Sequence, residues 1–339
     1  MKRFTNGGLV RQQGGVNVLA PDRNEVPQRG RADVAQDRVE VPRQGGVDVH
    51  QHLWPPEFVD ALRARNTAPR LVGWTLHLAG EPPYTVDPTA HEPHRRAGLD
   101  RDIGRIVLGL SSPLGIEDLL PDDAEPLLLA WHKGILSLPE AFVAWAAVSH
   151  VEPDLSGLRA LLDEGFVGLQ VPATRMDTPQ AIETLAEVLR VCEQAGRPVL
   201  VHPGPVTSAA SGTPAWWAPV VDYATQLQTA WWAWQAVGRS LLPHLRICFV
   251  AGAGLAPLHY ERSAARGGPE WRADPDVFVD TSSYGRVGLD SLVRVLGVDA
   301  LVLGSDRPYS APTDPGLGAA ATQAVRIANP RRLLQGGCP

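Results

Sequence analysis

The chain has 339 residues, a formal charge of −6 and 44% hydrophobic residues, enough for one large core or two modest ones. A mildly acidic balance with no basic run argues against nucleic acid and anionic membrane as partners. No stretch is long and apolar enough to span a bilayer and the N-terminus has no apolar signal core, so a cytoplasmic protein is expected. The three cysteines, Cys192, Cys248 and Cys338, are odd in number and widely spaced, and the first two sit in apolar runs. Buried free thiols in a reducing compartment are the expectation.

Residues 1–44 are polar, rich in Arg, Gln, Gly and Asp, with no aromatic after Phe4. The stretch 11–18 is nearly repeated at 43–49, an echo too short to be a structural repeat. A segment this poor in large apolar groups cannot offset its ordering entropy. A disordered extension over 1–44 is predicted, with the folded domain at 45–339.

The first strand is Val47-Asp48-Val49-His50-Gln51-His52. Strand side chains alternate faces, so His50 and His52 point the same way and can ligate one metal ion from one side. Taken alone, the pair reads equally well as surface histidines after a strand. Pro55-Pro56 opens a helix to residue 64. An irregular insertion follows over 66–99, containing His77, His91 and His94; loops this long are usually lids or disordered. Further strands are predicted at 106–110, 142–148, 166–171 and 198–202, with helices at 122–135, 154–164 and 179–194. In the last of these Ile182, Leu185, Val188, Leu189 and Cys192 form one apolar stripe. After a Gly/Ser/Ala/Pro loop with Trp216 and Trp217, a helix runs to residue 240. Strands at 246–250, 276–281 and 300–304 follow, with helices at 255–266, 289–296 and 316–328.

The strands read as continuous apolar runs, as strands buried on both faces of a parallel sheet do. Eight strand-plus-helix units match a (β/α)8 TIM barrel with a long insertion after strand 1. The rival, an open doubly wound sheet, would not gather the polar exits of the first, fifth, seventh and eighth strands around one mouth. On that rim the candidate ligands are His50, His52, His202 and Asp306. Three neutral imidazoles and one carboxylate suit a single divalent first-row ion, with zinc expected, and such an ion can acidify a water molecule. A capped strand-end histidine and a helix N-cap are the bland readings of His202 and Asp306.

The chain resembles the amidohydrolase superfamily, in particular the amidohydrolase-2 branch that includes aminocarboxymuconate-semialdehyde decarboxylase. The resembling positions are His50-Gln51-His52, Val201-His202-Pro203-Gly204 and Leu303-Gly304-Ser305-Asp306, within an element order that matches from about residue 46 to 334. The resemblance implies a barrel with a mononuclear metal held at His50, His52, His202 and Asp306. Gly168-Leu169-Gln170 offers no lysine to be carboxylated, which favours one metal over two. The family usually has a histidine at the end of strand six; here Ala251 stands in its place, and His259 lies eight positions on. Asp306 is then the expected catalytic proton acceptor.

Among weaker candidates, Arg307 suits a substrate carboxylate, though a structural salt bridge fits it as well. Tyr284 touches substrate or packs the rim, and Trp54, Trp216 and Trp217 are placed to wall an apolar pocket. The leading expectation is a metal-dependent hydrolase that cleaves a C–N or C–O bond in a small, partly apolar, carboxylated substrate. The alternatives are a non-oxidative decarboxylase and a barrel that binds a ligand or metal without turnover. A small-molecule substrate is the expected partner, and a homodimer is left open.

Overall fold

The strands that read as apolar runs become two parallel sheets in the computed structural model, which describes residues 45–336 apart from 80, 100–101, 207–211, 215, 269–271, 313 and 315. The extension 1–44 and Cys338 lie outside the described residues. Strand β1 (Gly46–Gln51) leads through α1 (Pro56–Ala64) into an insertion carrying β2 (Arg70–Val72), β3 (Thr75–His77), β4 (Tyr84–Thr85) and α2 (Pro93–Ala97). Then come β5 (Ile103–Leu108), α3 (Pro121–Leu136), β6 (Phe142–Ala144), α4 (Leu155–Glu164), β7 (Leu169–Pro172), α5 (Pro179–Gln194) and β8 (Val199–His202). The last part holds α6 (Tyr223–Ala233), α7 (Arg239–Leu241), β9 (Ile247–Phe249), α8 (Tyr260–Ala264), β10 (Val277–Asp280), α9 (Arg286–Leu296), β11 (Leu301–Val302), α10 (Ala319–Gln323) and α11 (Asn329–Gln335).

One sheet has the order β1-β5-β6 and the other β11-β10-β9-β8-β7, and every pair in both is parallel. Hydrogen bonds cross between the two sheets at both ends. Ala146 N–H donates to Gly168 O at 2.7 Å on one side, and Val49 N–H donates to Leu303 O at 2.9 Å on the other. Strands β1, β7, β8, β9 and β10 are buried along their whole length, which is why they read as unbroken apolar runs.

The helices turn one face to the strands. In α5, Ile182, Leu185, Val188, Leu189 and Cys192 are all buried, as their spacing predicts. Each such aliphatic side chain contributes about 1.5–3 kcal/mol by leaving water. Thr178 starts the helix, its hydroxyl accepting from Ala181 N–H at 3.1 Å. Cys192 and Cys248 are buried free thiols. Among the described residues no helix is long and apolar enough to cross a membrane.

Two regions depart from the sequence expectation. The insertion is ordered: β2, β3 and β4 form an antiparallel sheet with Leu71 opposite Leu76 and Leu76 opposite Tyr84. Leu71, Leu76 and Val86 are buried and give it an apolar floor. A helix expected from residue 255 is preceded by a left-handed turn, with φ of 46° at Ala251, 53° at Gly252, 56° at Ala253, 60° at Gly254 and 63° at Leu255. A Cβ on Gly254 would stand 2.5 Å from Ala224 O, so glycine lets this turn lie directly on α6. Regular helix begins only at Tyr260, beyond Pro257, which lacks the N–H that a helix interior needs.

Candidate metal centre

The period of two in β1 brings the His50 and His52 rings to the C-terminal edge of the sheet, with their Nε2 atoms 3.0 Å apart. His202 is the last residue of β8, and its ring centroid lies 5.0 Å from that of His50 and 4.9 Å from that of His52. Asp306 follows β11 in a left-handed conformation, φ 57°, which aspartate adopts more readily than most residues. Its N–H donates to His50 O at 2.9 Å, and His52 N–H donates to Arg307 O at 2.7 Å. These backbone bonds fix Asp306 Oδ1 at 3.5 Å from His50 Nε2 and 3.3 Å from His52 Nε2. The four ligand atoms lie within 4.8 Å of one another. Bonds of about 2.1 Å in a tetrahedron place ligand atoms roughly 3.4 Å apart, so the cluster is close to metal-binding geometry.

The outward nitrogens support the same fit. His50 Nδ1 lies 2.7 Å from Asp280 Oδ2, His52 Nδ1 lies 3.0 Å from Gly109 O, and His202 Nδ1 lies 2.9 Å from Pro203 O. Each partner is an acceptor, so each ring carries its proton on Nδ1 and turns a lone pair inward. Two inward lone pairs 3.0 Å apart repel unless a cation stands between them. Burial lowers the His52 pKa and, reinforced by His52 and His50, lowers that of His202 well below the ordinary histidine value. For His50 burial also lowers the pKa, but Asp280, Asp306 and Asp48 together outweigh it and raise it. A proton on His50 Nε2 and a divalent cation therefore compete for the same place. Burial pushes the Asp306 pKa up, yet its close pairing with His52 and the nearby His50 and His202 imidazoles leave it below the usual carboxylate value.

The surrounding residues are positioned by the same strands. Asp48 on β1 accepts from Ser305 N–H at 3.1 Å and from Gln51 Nε2 at 2.7 Å, tying the first strand to the turn that carries Asp306. Asp280, fully buried at the end of β10, was not among the residues singled out in the sequence, where Tyr284 was the candidate near that exit. The available signal was a carboxylate ending the apolar run Val277-Phe278-Val279. A Cβ on Gly304 would stand 2.3 Å from Asp280 Oδ2, so glycine is needed for the carboxylate to reach His50. Arg96, from the insertion, was also missed. Its guanidinium donates to His52 O at 2.7 Å, Ala90 O at 3.0 Å and Arg307 O at 3.3 Å, and to Gln51 Oε1.

The weaker candidates lie in different settings. Trp54 is 2% exposed, stacks on His91 with ring centroids 4.7 Å apart and donates its indole N–H to Ser111 Oγ, so it presents no open face. Trp216 is exposed, its ring 5.8 Å from that of Trp217. Tyr284 packs beside the left-handed turn, near Gly252 and Gly288. Arg307 is partly exposed and directly follows Asp306. Tyr309, unremarked in the sequence, is half exposed with its ring 5.6 Å from that of His52. His91 is buried, accepts from Trp54 N–H, and has a pKa lowered to about 4 by burial and by Arg96. His94 and His259 are exposed, and neither they nor His77 join the cluster.

A scan against protein-family models finds no match, and a search of curated proteins finds no similar sequence. Solved structures do match. 5-Carboxyvanillate decarboxylase from Novosphingobium aromaticivorans, with manganese and 4-hydroxy-3-methoxy-5-nitrobenzoic acid, is 14% identical with a TM-score of 0.62, over 88% of this chain and 99% of that one. 2,6-Dihydroxybenzoate decarboxylase from Rhizobium is 17% identical with a TM-score of 0.61, over 86% and 98%. The fold is the one these decarboxylases share. An amidohydrolase II structure aligns as well, at 19% identity and a TM-score of 0.65 over 86% of this chain and 99% of that one. At these identities the likeness concerns the fold; the chemistry rests on the cluster itself.

Proposed function

We propose that residues 45–339 form a metal-dependent carboxy-lyase, a non-oxidative decarboxylase of a small carboxylated substrate. The observation that carries it is the His50, His52, His202 and Asp306 cluster, set for a cation at the strand exits of a fold shared with decarboxylases. We read the eight parallel strands as a closed barrel, supported by the hydrogen bonds across both junctions between the sheets. His50, His52, His202 and Asp306 would hold one divalent ion; their three nitrogens and one oxygen accept zinc or manganese.

Bound there, the ion would hold substrate oxygens and draw electron density from the scissile carbon. Decarboxylation breaks the C–C bond with the electron pair left on carbon, and that first step needs no base. Hydrolysis needs water to lose a proton, and among the described residues the strand-six exit, where the resembling family has a histidine, offers no side chain to take it. Position 251 is alanine, which supplies no side-chain base. Asp306, 21% exposed against 2% and 1% for the His50 and His52 side chains, is the ligand open to substrate, and the proton that replaces carbon dioxide on the carbon would come from solvent on that open side. Arg307 and Tyr284 are the side chains proposed to meet the substrate.

The test is to incubate metal-loaded protein with a panel of hydroxylated aromatic carboxylates and, separately, with amide and lactone substrates. Carbon dioxide release that stops on chelation is expected. Chelation-sensitive hydrolysis without carbon dioxide release would replace this reading with the hydrolytic one.

A further inference from the structure

Strand six has no histidine at its exit, yet that exit is wired to the metal cluster through its backbone. Ala251 N–H donates to Asp280 Oδ1 at 2.7 Å. The same oxygen accepts from Ser282 N–H at 2.9 Å and from the Ser282 hydroxyl at 2.6 Å. The other oxygen, Oδ2, takes the His50 Nδ1 proton at 2.7 Å. Asp280 and His50 are both fully buried, so neither can exchange these partners for water.

We propose that Asp280 is a positioning residue: it fixes the tautomer and direction of His50, and the left-handed turn at Ala251 is its mount. Three donors hold one carboxylate oxygen, which leaves the second free to meet only His50. The His50 proton is thereby confined to Nδ1 and the Nε2 lone pair is aimed at the cluster. The turn aims the Ala251 N–H, so strand six contributes a backbone donor where a side chain was expected. The inference rests on the metal-centre reading above.

Asparagine at 280 separates this role from simple support of the turn. Its one carbonyl oxygen would be claimed by the three donors, since an amide NH2 there would set donors against donors. The NH2 group would then face His50 Nδ1, which could only accept, and the ring proton would move to Nε2, the ligating atom. Asp280→Asn should therefore keep the metal-free melting temperature within a few degrees of wild type. Its zinc affinity, measured by competition with a chromophoric chelator, should fall by about 10- to 100-fold. Nitrogen-15 NMR of histidine-labelled protein should show His50 protonated at Nδ1 in the zinc-loaded wild type and at Nε2 in the variant. Ser282→Ala, which weakens the mount alone, should lose less zinc affinity than Asp280→Asn.

Wild-type zinc affinity in Asp280→Asn would reduce Asp280 to a pin for the turn and overturn the proposal. So would a zinc-loaded wild type without a proton on His50 Nδ1, a result that needs no variant to fold. A wild type that binds no metal at all would sink both this inference and the metal-centre reading, and is distinguishable from the other outcomes on that ground.

Discussion

The strand exits divide into two sides of opposite character. At β1, β8, β10 and β11 the polar atoms are matched: each histidine has an acceptor for its outer nitrogen, and Asp280 uses both oxygens. At β5 and β7 the balance is reversed. Gln170 Nε2 donates to Leu110 O at 2.6 Å and Ser112 Oγ at 2.7 Å, and Ser112 Oγ donates to Glu117 Oε1 at 2.5 Å. Gln170 Oε1 and Glu117 Oε2 are left buried with no partner among the described residues. A Cβ on Gly109 would stand 2.3 Å from Gln170 Oε1 and 3.7 Å from His52 Cε1, so the unmatched carbonyl lies close to the cluster. One side is complete for a cation; the other is short of hydrogen-bond donors.

Removing a proposed ligand should separate the two sides most sharply. His202→Ala should lower metal affinity by more than about 100-fold, because loss of an outer partner alone costs about 10- to 100-fold. Gln170→Leu should leave it within about threefold; elemental analysis after dialysis against limiting metal reads both. A comparable loss in Gln170→Leu would mean that the division is misdrawn.

The clasp on the ligand side comes next. Arg96→Leu strands the buried His52 carbonyl and Gln51 Oε1, so a loss on the order of 3–5 kcal/mol is expected in urea denaturation. A loss under about 1 kcal/mol would show that the insertion is merely laid over the site.

The smallest effect belongs to the donor-poor side and depends on pH. Burial raises the Glu117 pKa from 4.5 to about 7, against the opposing hydrogen bond from Ser112. Between those values the folded carboxyl keeps a proton that the unfolded one has lost. Its stabilising effect is therefore present below pH 4.5 and disappears as pH rises through 7. The shift corresponds to at most about 3 kcal/mol. Glu117→Gln cannot ionise, so its loss of melting temperature between pH 5 and pH 8 should be smaller than that of wild type. Parallel pH curves would show that Glu117 titrates normally.

What the sequence disclosed follows this division only in part. Buried parallel strands announce themselves as apolar runs, and the period of two put His50 and His52 on one face without any tertiary information. His202 and Asp306 were legible because each directly ends or follows such a run. Asp280 also ends one, but its partner lies far away in the chain, and no local spacing links it to His50. Arg96 was hidden for a similar reason: on α2 it reads as one of several surface cations, and only the folding back of the insertion buries it. The turn at Ala251 was misjudged because Ala and Leu are good helix formers, and nothing in their order reports φ of the opposite sign.

The bond between Asp48 and Ser305 joins residues 257 positions apart. His50 and His52 are made long before Asp306, so a chain that stops short of Asp306 cannot assemble the full cluster. Closing so long a loop has an entropic cost that must be met by other contacts first. A metal ion held by all four proposed ligands would therefore latch the finished fold rather than nucleate it, and the ability to retain metal would mark the meeting of β1 with β11.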